Sequence, residues 1–204
     1  MEIVSVHSKT ELEKYLLPNR PVHVFQIGDL DDFFGPFTQW FAGKEGEEIS
    51  ALVLLYTALE IPILIAMDNH NTAGMVALLA GISHLLPSRC YTLISLELIE
   101  RLRQAYTIAS QGEHYIMAQK DMHTVRQTDP GPYPILPVDK SDQRALQDLL
   151  QSVDAISLTV KAANRSARRV YEKLGFEVVA SYHECMLSRT AFSPGPVSTI
   201  PKPA

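Results

Sequence analysis

Apolar positions in the first 120 residues switch repeatedly between helical and strand spacing. Ser8 and Glu11 form a capping box, and Leu12, Tyr15 and Leu16 follow at the spacing of a helix. A second helix is predicted after Asn71, whose side chain suits the first capping position, because the apolar residues that follow it form one stripe. The pattern predicts strands over 21–27, 38–42, 51–58, 61–67, 90–95 and 107–120, and a further helix over 96–106.

One apolar run, residues 49–67, is long enough to span the hydrocarbon of a membrane. Glu60 and Pro62 lie near its middle. A central acid costs roughly 2.5–3.5 kcal/mol on insertion, and a proline interrupts the hydrogen bonds of a helix or central strand. Two buried strands joined by a tight turn are therefore predicted in place of a membrane span.

The second half of the chain begins with the segment TDPGPYPILP (128–137), which is typical of a connector between domains. Beyond it, the pattern predicts a helix over 141–152, a strand over 155–160, a helix starting at Asn164 and a strand over 176–188. The predicted organisation is an amino-terminal α+β domain with a mixed sheet (1–127), a proline-rich connector (128–140), a partial second domain (141–189) and a disordered tail (190–204).

The composition and net charge argue against some classes of function. The net charge is −5 and the isoelectric point is about 5.8, which argues against a nucleic-acid binder, because phosphate contacts require a dense Lys/Arg surface. Cys90 and Cys185 show no metal-ligand spacing and no disulfide framework, so two reduced thiols in a cytoplasmic protein are expected. The amino terminus has no basic start followed by an apolar core, so the pattern predicts no signal peptide there.

The segment LTVKAANRSARRVYEKLGFEVV (158–179) resembles the closing motif of the GCN5-related N-acetyltransferase (GNAT) family. The family pattern is a strand ending in L-x-V, then Asn, Ala and Tyr at fixed spacing, a basic residue, Gly and Phe. The matching positions are Leu158, Val160, Asn164, Ala167, Tyr171, Lys173, Gly175 and Phe176. Residues 25–34 and 111–118 resemble, more weakly, an extra domain that precedes the catalytic domain in some of these proteins. The resemblance implies an acetyltransferase that uses acetyl-CoA and a small-molecule or peptide amine as acceptor, with no metal.

The resemblance also assigns roles to individual residues. Tyr171 would be the catalytic acid, because a tyrosine holds its proton at neutral pH and can donate it to the departing thiolate. Asn164 would hydrogen-bond the pantetheine arm, and Arg168, Arg169 or Lys173 would meet the nucleotide phosphates. Each has a structural alternative. Asn164 is also a good helix cap, Tyr171 suits a core position with its hydroxyl at the rim, and the basic residues suit a solvated helix face.

Glu184 has two interpretations as well. It is a candidate general base, and on an alternating terminal strand it is also a typical outward surface acid.

The chain does not contain the glycine-rich turn that holds the pyrophosphate of coenzyme A in this family. Such a turn uses backbone N–H groups at a helix start, and residues 151–154 leave no room for it before the strand at 155–160. Acetyl transfer is therefore expected to be impaired. The strand at 155–160 must pair with the final strand, with the first domain or with another chain. If it pairs with another chain, the protein would self-associate through this open strand edge.

Two functions remain open from the sequence. One is a GNAT-type acetyltransferase with impaired activity. The other is a non-catalytic, truncated relative that acts as an interaction module or has no function.

Overall fold

The structure is a computed structural model that describes residues 1–67, 71–119 and 156–190. The described strands are β1 (Glu2–Val6), β2 (Thr38–Glu45), β3 (Glu48–Tyr56), β4 (Ile63–Ala66), β5 (Arg89–Ile94), β6 (Tyr106–Gln119), β7 (Ile156–Lys161) and β8 (Phe176–Arg189). The described α-helices are α1 (Lys9–Leu16), α2 (Val24–Gly28), α3 (Thr72–Ile82), α4 (Leu96–Leu102) and α5 (Arg165–Lys173), with single 3-10 turns at Leu17–Asn19 and Gly35–Phe37.

The eight described strands form one mixed sheet in the order β1-β2-β3-β4-β5-β8-β6-β7. Among them, β4 and β5 are the single parallel pair, and every other neighbouring pair is antiparallel. The predicted fold class, α+β with a mixed sheet, is confirmed. The 14-residue β8 lies between β5 and β6, so the last described strand occupies an interior position of the sheet.

Alternation along the strands divides the core into two apolar layers. Along β3, Leu52 and Leu54 contribute to one layer, whereas Ala51, Val53 and Leu55 contribute to the other. Helix α1 packs on the first layer, which we name the α1–α2 face, and helices α3 and α4 pack on the second, which we name the α3–α4 face. The sheet is thus covered on both sides.

Most predicted elements are confirmed, including the two strands within 49–67 and the capped helices after Ser8, Asn71 and Asn164. The strand predicted over 21–27 is wrong, because residues 24–28 form α2. Its buried polar residues explain the difference. His23 and Gln26 are spaced by three, and their side chains hydrogen-bond at 2.7 Å (Nδ1 to Oε1), which a helical turn permits and an extended strand does not.

The predicted helix over 96–106 is shorter than expected, because α4 ends at Leu102 and β6 begins at Tyr106. The predicted connector (128–140), the helix over 141–152 and the tail beyond 190 lie outside the described residues. The domain boundary therefore stays a prediction, although strands from both sides of it share one sheet.

Both cysteines, Cys90 and Cys185, are free and buried. Among the described residues, no helix combines the length and apolar character needed to cross a membrane. No group of three or more His, Cys, Asp or Glu side chains in the same residues is placed to hold a metal ion.

Candidate functional site

The GNAT-like segment folds as the predicted strand, helix and strand. Asn164 begins α5 by accepting the backbone N–H of Ala167 at 3.1 Å and the Ser166 hydroxyl at 3.0 Å through Oδ1. At the other end, Gly175 has a φ of 93°, a conformation that closes a helix and that a side chain would strain. The oxygen of Asn164 is therefore already used by its own helix, which is the role of a cap.

The other predicted site residues contact different neighbours. The half-buried Tyr171 packs edge to face on Phe176, with ring centroids 6.1 Å apart. The guanidinium of Arg168 lies 4.8 Å from the ring centre of Tyr115 and pairs with Glu172 at 3.2 Å, whereas Lys173 is exposed.

No hydrogen bond or ion pair between described residues joins any two of the side chains of Tyr171, Asn164, Arg168 and Lys173. None of the residues of α5 is fully buried. The structure therefore places the four predicted residues on one helix but does not bring them into one hydrogen-bonded site.

The strand that leads into α5 lies at one end of the described sheet. β7 pairs with β6 over six positions, from His114 opposite Lys161 to Gln119 opposite Ile156, and it has no second strand neighbour among the described residues. Of the partners expected for this strand, the first domain is therefore the one that the structure supplies. No described strand pairs with the backbone groups on the outer edge of β7, which another strand could use.

The sheet offers one place, among the described residues, where a ligand commonly binds between strands: the carboxyl end of the parallel pair β4–β5. The two strands remain paired to their ends. Ala66 lies opposite Ile94, and the next amide, that of Ser95, donates to the carbonyl of Ala66 at 3.1 Å. A pantetheine arm enters where two strands separate, whereas Ala66 and Ser95 are still joined by a hydrogen bond.

The start of α3, which follows β4, is also closed. Asn71 accepts the N–H of Gly74 at 3.0 Å through Oδ1, and its Nδ2 donates to the carbonyl of Ser50 at 2.9 Å. A Cβ on Gly74 would overlap the Asn71 carboxamide, so this side chain covers the helix start at close range. A helix start binds phosphate through N–H groups that are open to the ligand, and here one of them, the N–H of Gly74, already donates to Asn71.

At the described residues of β4, β5 and α3, these two contacts argue against a site for coenzyme A. A backbone hydrogen bond joins Ser95 to Ala66 at the end of the strand pair, and Asn71 caps the start of α3. Seen from the structure, the prediction of Asn71 as a cap is confirmed.

A polar network that the sequence did not predict lies on the α1–α2 face. Glu184 on β8 accepts hydrogen bonds from the hydroxyls of Tyr91 on β5 and, at 3.4 Å, of Tyr182 on β8. The ring of Tyr182 stacks on His114 of β6, with centroids 5.4 Å apart, and His114 Nε2 lies 3.7 Å from the Glu184 carboxylate. Glu184 is therefore a partly buried hydrogen-bond acceptor and not the solvated surface acid that alternation favoured.

The network keeps both tyrosines protonated. Burial, together with the hydrogen bond to the Glu184 carboxylate, raises the pKa of Tyr91 well above its usual range. Burial and the charge of Glu184 raise the pKa of Tyr182 to about 12. Tyr91 lies on β5 and its partner Glu184 on β8, whereas Tyr182 lies on β8 and stacks on His114 of β6. Only the pairing of β5, β8 and β6 brings these groups together. The sequence contains no local signal for such a cluster.

A comparison with solved structures supports the fold. No protein-family model and no curated protein matches the chain. A crystal structure of a Drosophila protein from a structural genomics programme is similar, with 9% sequence identity, a TM-score of 0.57, and coverage of 91% of this chain and 98% of that one. This likeness extends to the fold alone, and it supports the predicted α+β architecture with a mixed sheet.

Two further solved structures are matched less well. Escherichia coli ElaA is 17% identical, with a TM-score of 0.33 over 56% of this chain and 92% of its own. The aminoglycoside 6'-N-acetyltransferase from Enterococcus faecium is 14% identical, with a TM-score of 0.38 over 100% of both chains. Neither TM-score is high enough to indicate a shared fold.

Proposed function

We propose that the chain is a GNAT-type N-acetyltransferase by descent, in which transfer of an acetyl group from acetyl-CoA to an amine is impaired. The observation that carries this proposal is the closed end of the β4–β5 pair, where the Ser95 amide donates to the Ala66 carbonyl. Where strands stay hydrogen-bonded to each other, those backbone groups are not available to the amides of a pantetheine arm.

The capped start of α3 supports the same conclusion. Electrostatic anchoring of a pyrophosphate uses several N–H groups and the positive end of a helix dipole. Asn71 occupies the N–H of Gly74 and is itself held by the carbonyl of Ser50. An incoming diphosphate would compete with Asn71 for the N–H of Gly74.

The residue assignments stay part of the proposal. Tyr171 is the proton donor that the family motif implies, and Asn164, Arg168 and Lys173 are the cofactor-binding residues that it implies. Any residual transfer would depend on them, although the carboxamide oxygen of Asn164 is engaged in capping α5.

Isothermal titration calorimetry with acetyl-CoA tests the proposal directly. We expect no saturable heat of binding in the micromolar range. Saturable micromolar binding that disappears in both Tyr171→Phe and Asn164→Ser proteins would overturn it. The Asn164→Ser variant retains a capping side chain, so a loss of binding there would report on the cofactor and not on the stability of α5.

The non-catalytic alternative is favoured by one observation: among the described strands, β7 has no neighbour on its outer edge. An interaction module would use this edge to add a strand from a partner or from a second copy of the chain. Sedimentation velocity over a hundredfold range of protein concentration tests self-association. A constant monomer sedimentation coefficient would exclude it for a second copy.

A further inference from the structure

A groove of about 390 Å³ lies on the α1–α2 face, away from β7 and α5. It is bounded by α2, by the loop that follows α2 and by strands β3, β4 and β5. The residues that line it are Phe25, Asp29, Phe34, Tyr56, Ile63, Ile65 and Leu93. The lining is apolar apart from one carboxylate and one phenol, and three of its seven residues are aromatic.

The aromatic residues come from three separate parts of the chain and are held by their own packing. Phe34 packs against Tyr56 with ring centroids 6.1 Å apart and an interplanar angle of 71°. Phe25 packs against Tyr182 with centroids 6.0 Å apart and an angle of 76°. Rings fixed in this way present faces and edges to a ligand at little cost in side-chain entropy.

Asp29 is the one charged residue of the groove. It follows the end of α2, it is partly buried, and no described residue donates a hydrogen bond or forms an ion pair with its side chain. Burial raises the pKa of this carboxyl. A desolvated carboxylate without a partner is costly, and a cation placed beside it offsets that cost.

We propose that this groove binds a quaternary ammonium group, with Asp29 as the counter-charge and Phe25, Phe34 and Tyr56 as the aromatic walls. Aromatic faces attract cations, and methylated ammonium ions are recognised by aromatic walls because such ions are weakly hydrated. The single carboxylate supplies the opposite charge. The aliphatic floor of Ile63, Ile65 and Leu93 accommodates the rest of an apolar ligand.

The hydrogen-bond acceptors among the residues that line the groove favour a quaternary ammonium ion over a primary amine. A primary ammonium group has three N–H donors that need acceptors. The side chains that line the groove offer the Asp29 carboxylate and the Tyr56 hydroxyl, whereas the other five have no acceptor. A quaternary nitrogen has no N–H to satisfy. It also has no lone pair, so it cannot accept an acetyl group, and this site is independent of the transfer reaction proposed above.

Calorimetric titration with choline chloride tests the assignment, with sodium chloride at matched ionic strength as the reference. We expect saturable binding of choline. 3,3-Dimethylbutan-1-ol has the same shape without the charge, and we expect it and butylammonium to bind at least tenfold more weakly. Equal binding of the neutral analogue would show that the site recognises shape alone, and tighter binding of butylammonium would show a primary-amine site. Either result, or no binding of choline, would overturn the proposal.

Matched variants locate the site. Asp29→Asn should weaken choline binding at least tenfold. Asp32→Asn removes the same charge from the same loop at a position whose side chain is 95% exposed, and it should leave binding unchanged. If Asp29→Asn proves unstable, Phe34→Leu tests the aromatic wall instead, again with at least a tenfold loss expected. Wild-type affinity in a folded Asp29→Asn or Phe34→Leu protein would refute the placement of the ligand.

Discussion

The contact between Asn71 and Gly74 makes a quantitative prediction about the start of α3. Replacing Asn71 by Ala removes the cap on the Gly74 N–H, which is worth about 1 kcal/mol. It also removes the donor to the partly buried Ser50 carbonyl, which adds about 1 kcal/mol. We therefore expect Asn71→Ala to lower the free energy of unfolding by about 2 kcal/mol, measured by urea denaturation.

Gly74→Ala sharpens the same experiment, because a Cβ at Gly74 overlaps the Asn71 carboxamide. In the wild-type background the new methyl group displaces the cap, so the substitution should destabilise the protein by about 1 kcal/mol even though Ala is the better helix former. In the Asn71→Ala background no cap remains to be displaced, and Gly74→Ala should become neutral or stabilising. This reversal of sign is a coupling between the two positions that a double-mutant cycle measures.

Asn164 supplies the matched control. It caps α5 in the same way, but it is exposed and no second protein group depends on it for a donor. Asn164→Ala should therefore cost only about 0.5–1 kcal/mol, near the lower part of the capping range. If Asn71→Ala costs no more than Asn164→Ala, or if Gly74→Ala has the same effect in both backgrounds, the argument that Asn71 closes the start of α3 is refuted.

Two further predictions concern pH. Burial lowers the pKa of His23 in the folded protein. As the pH falls, His23 therefore takes up a proton in the unfolded chain at a higher pH than in the folded one. Stability should decline below about pH 6.5, by up to about 1.4 kcal/mol per pH unit, and a His23→Gln protein should show a flatter profile in urea denaturation series. The pKa values of Tyr91 and Tyr182 are raised, so stability should be fully present below about pH 10 and decline as the pH rises further. Tyr91→Phe should cost about 2 kcal/mol at neutral pH by leaving the Glu184 carboxylate with one donor fewer, and a cost below about 0.5 kcal/mol would contradict the importance of that hydrogen bond.

Local patterns allowed most of the helices and strands to be predicted. Asn71 was recognisable as a cap from its residue type and the apolar stripe that follows it, and Asn164 from its residue type at the predicted start of a helix. These features depend on neighbours within a few residues, which the sequence displays directly. The sequence did not predict α2, because two of the buried residues at this helix are polar and interrupt the apolar stripe. These residues are His23, just before α2, and Gln26, and their side chains hydrogen-bond to each other.

The candidate sites could not be predicted because they depend on how distant segments pair. The Glu184 network requires β8 to lie between β5 and β6, and nothing in the spacing of Tyr91, His114 and Glu184 specifies that order. The groove likewise joins Asp29 to Tyr56 and Leu93 through packing across the sheet. The resemblance to the GNAT closing motif indicated α5 instead, because the residues of that motif are contiguous in the sequence.

The position of β8 has a consequence for how the protein reaches its native state. β8 is the last described strand of the chain, yet it supplies hydrogen bonds to β5 on one side and to β6 on the other. Until residues 176–189 have left the ribosome, β5 and β6 each keep an edge that their native neighbour cannot cover. Nascent or carboxyl-terminally truncated chains should therefore be the aggregation-prone species, and the long sequence separation between paired strands should make folding slow and dependent on chaperones.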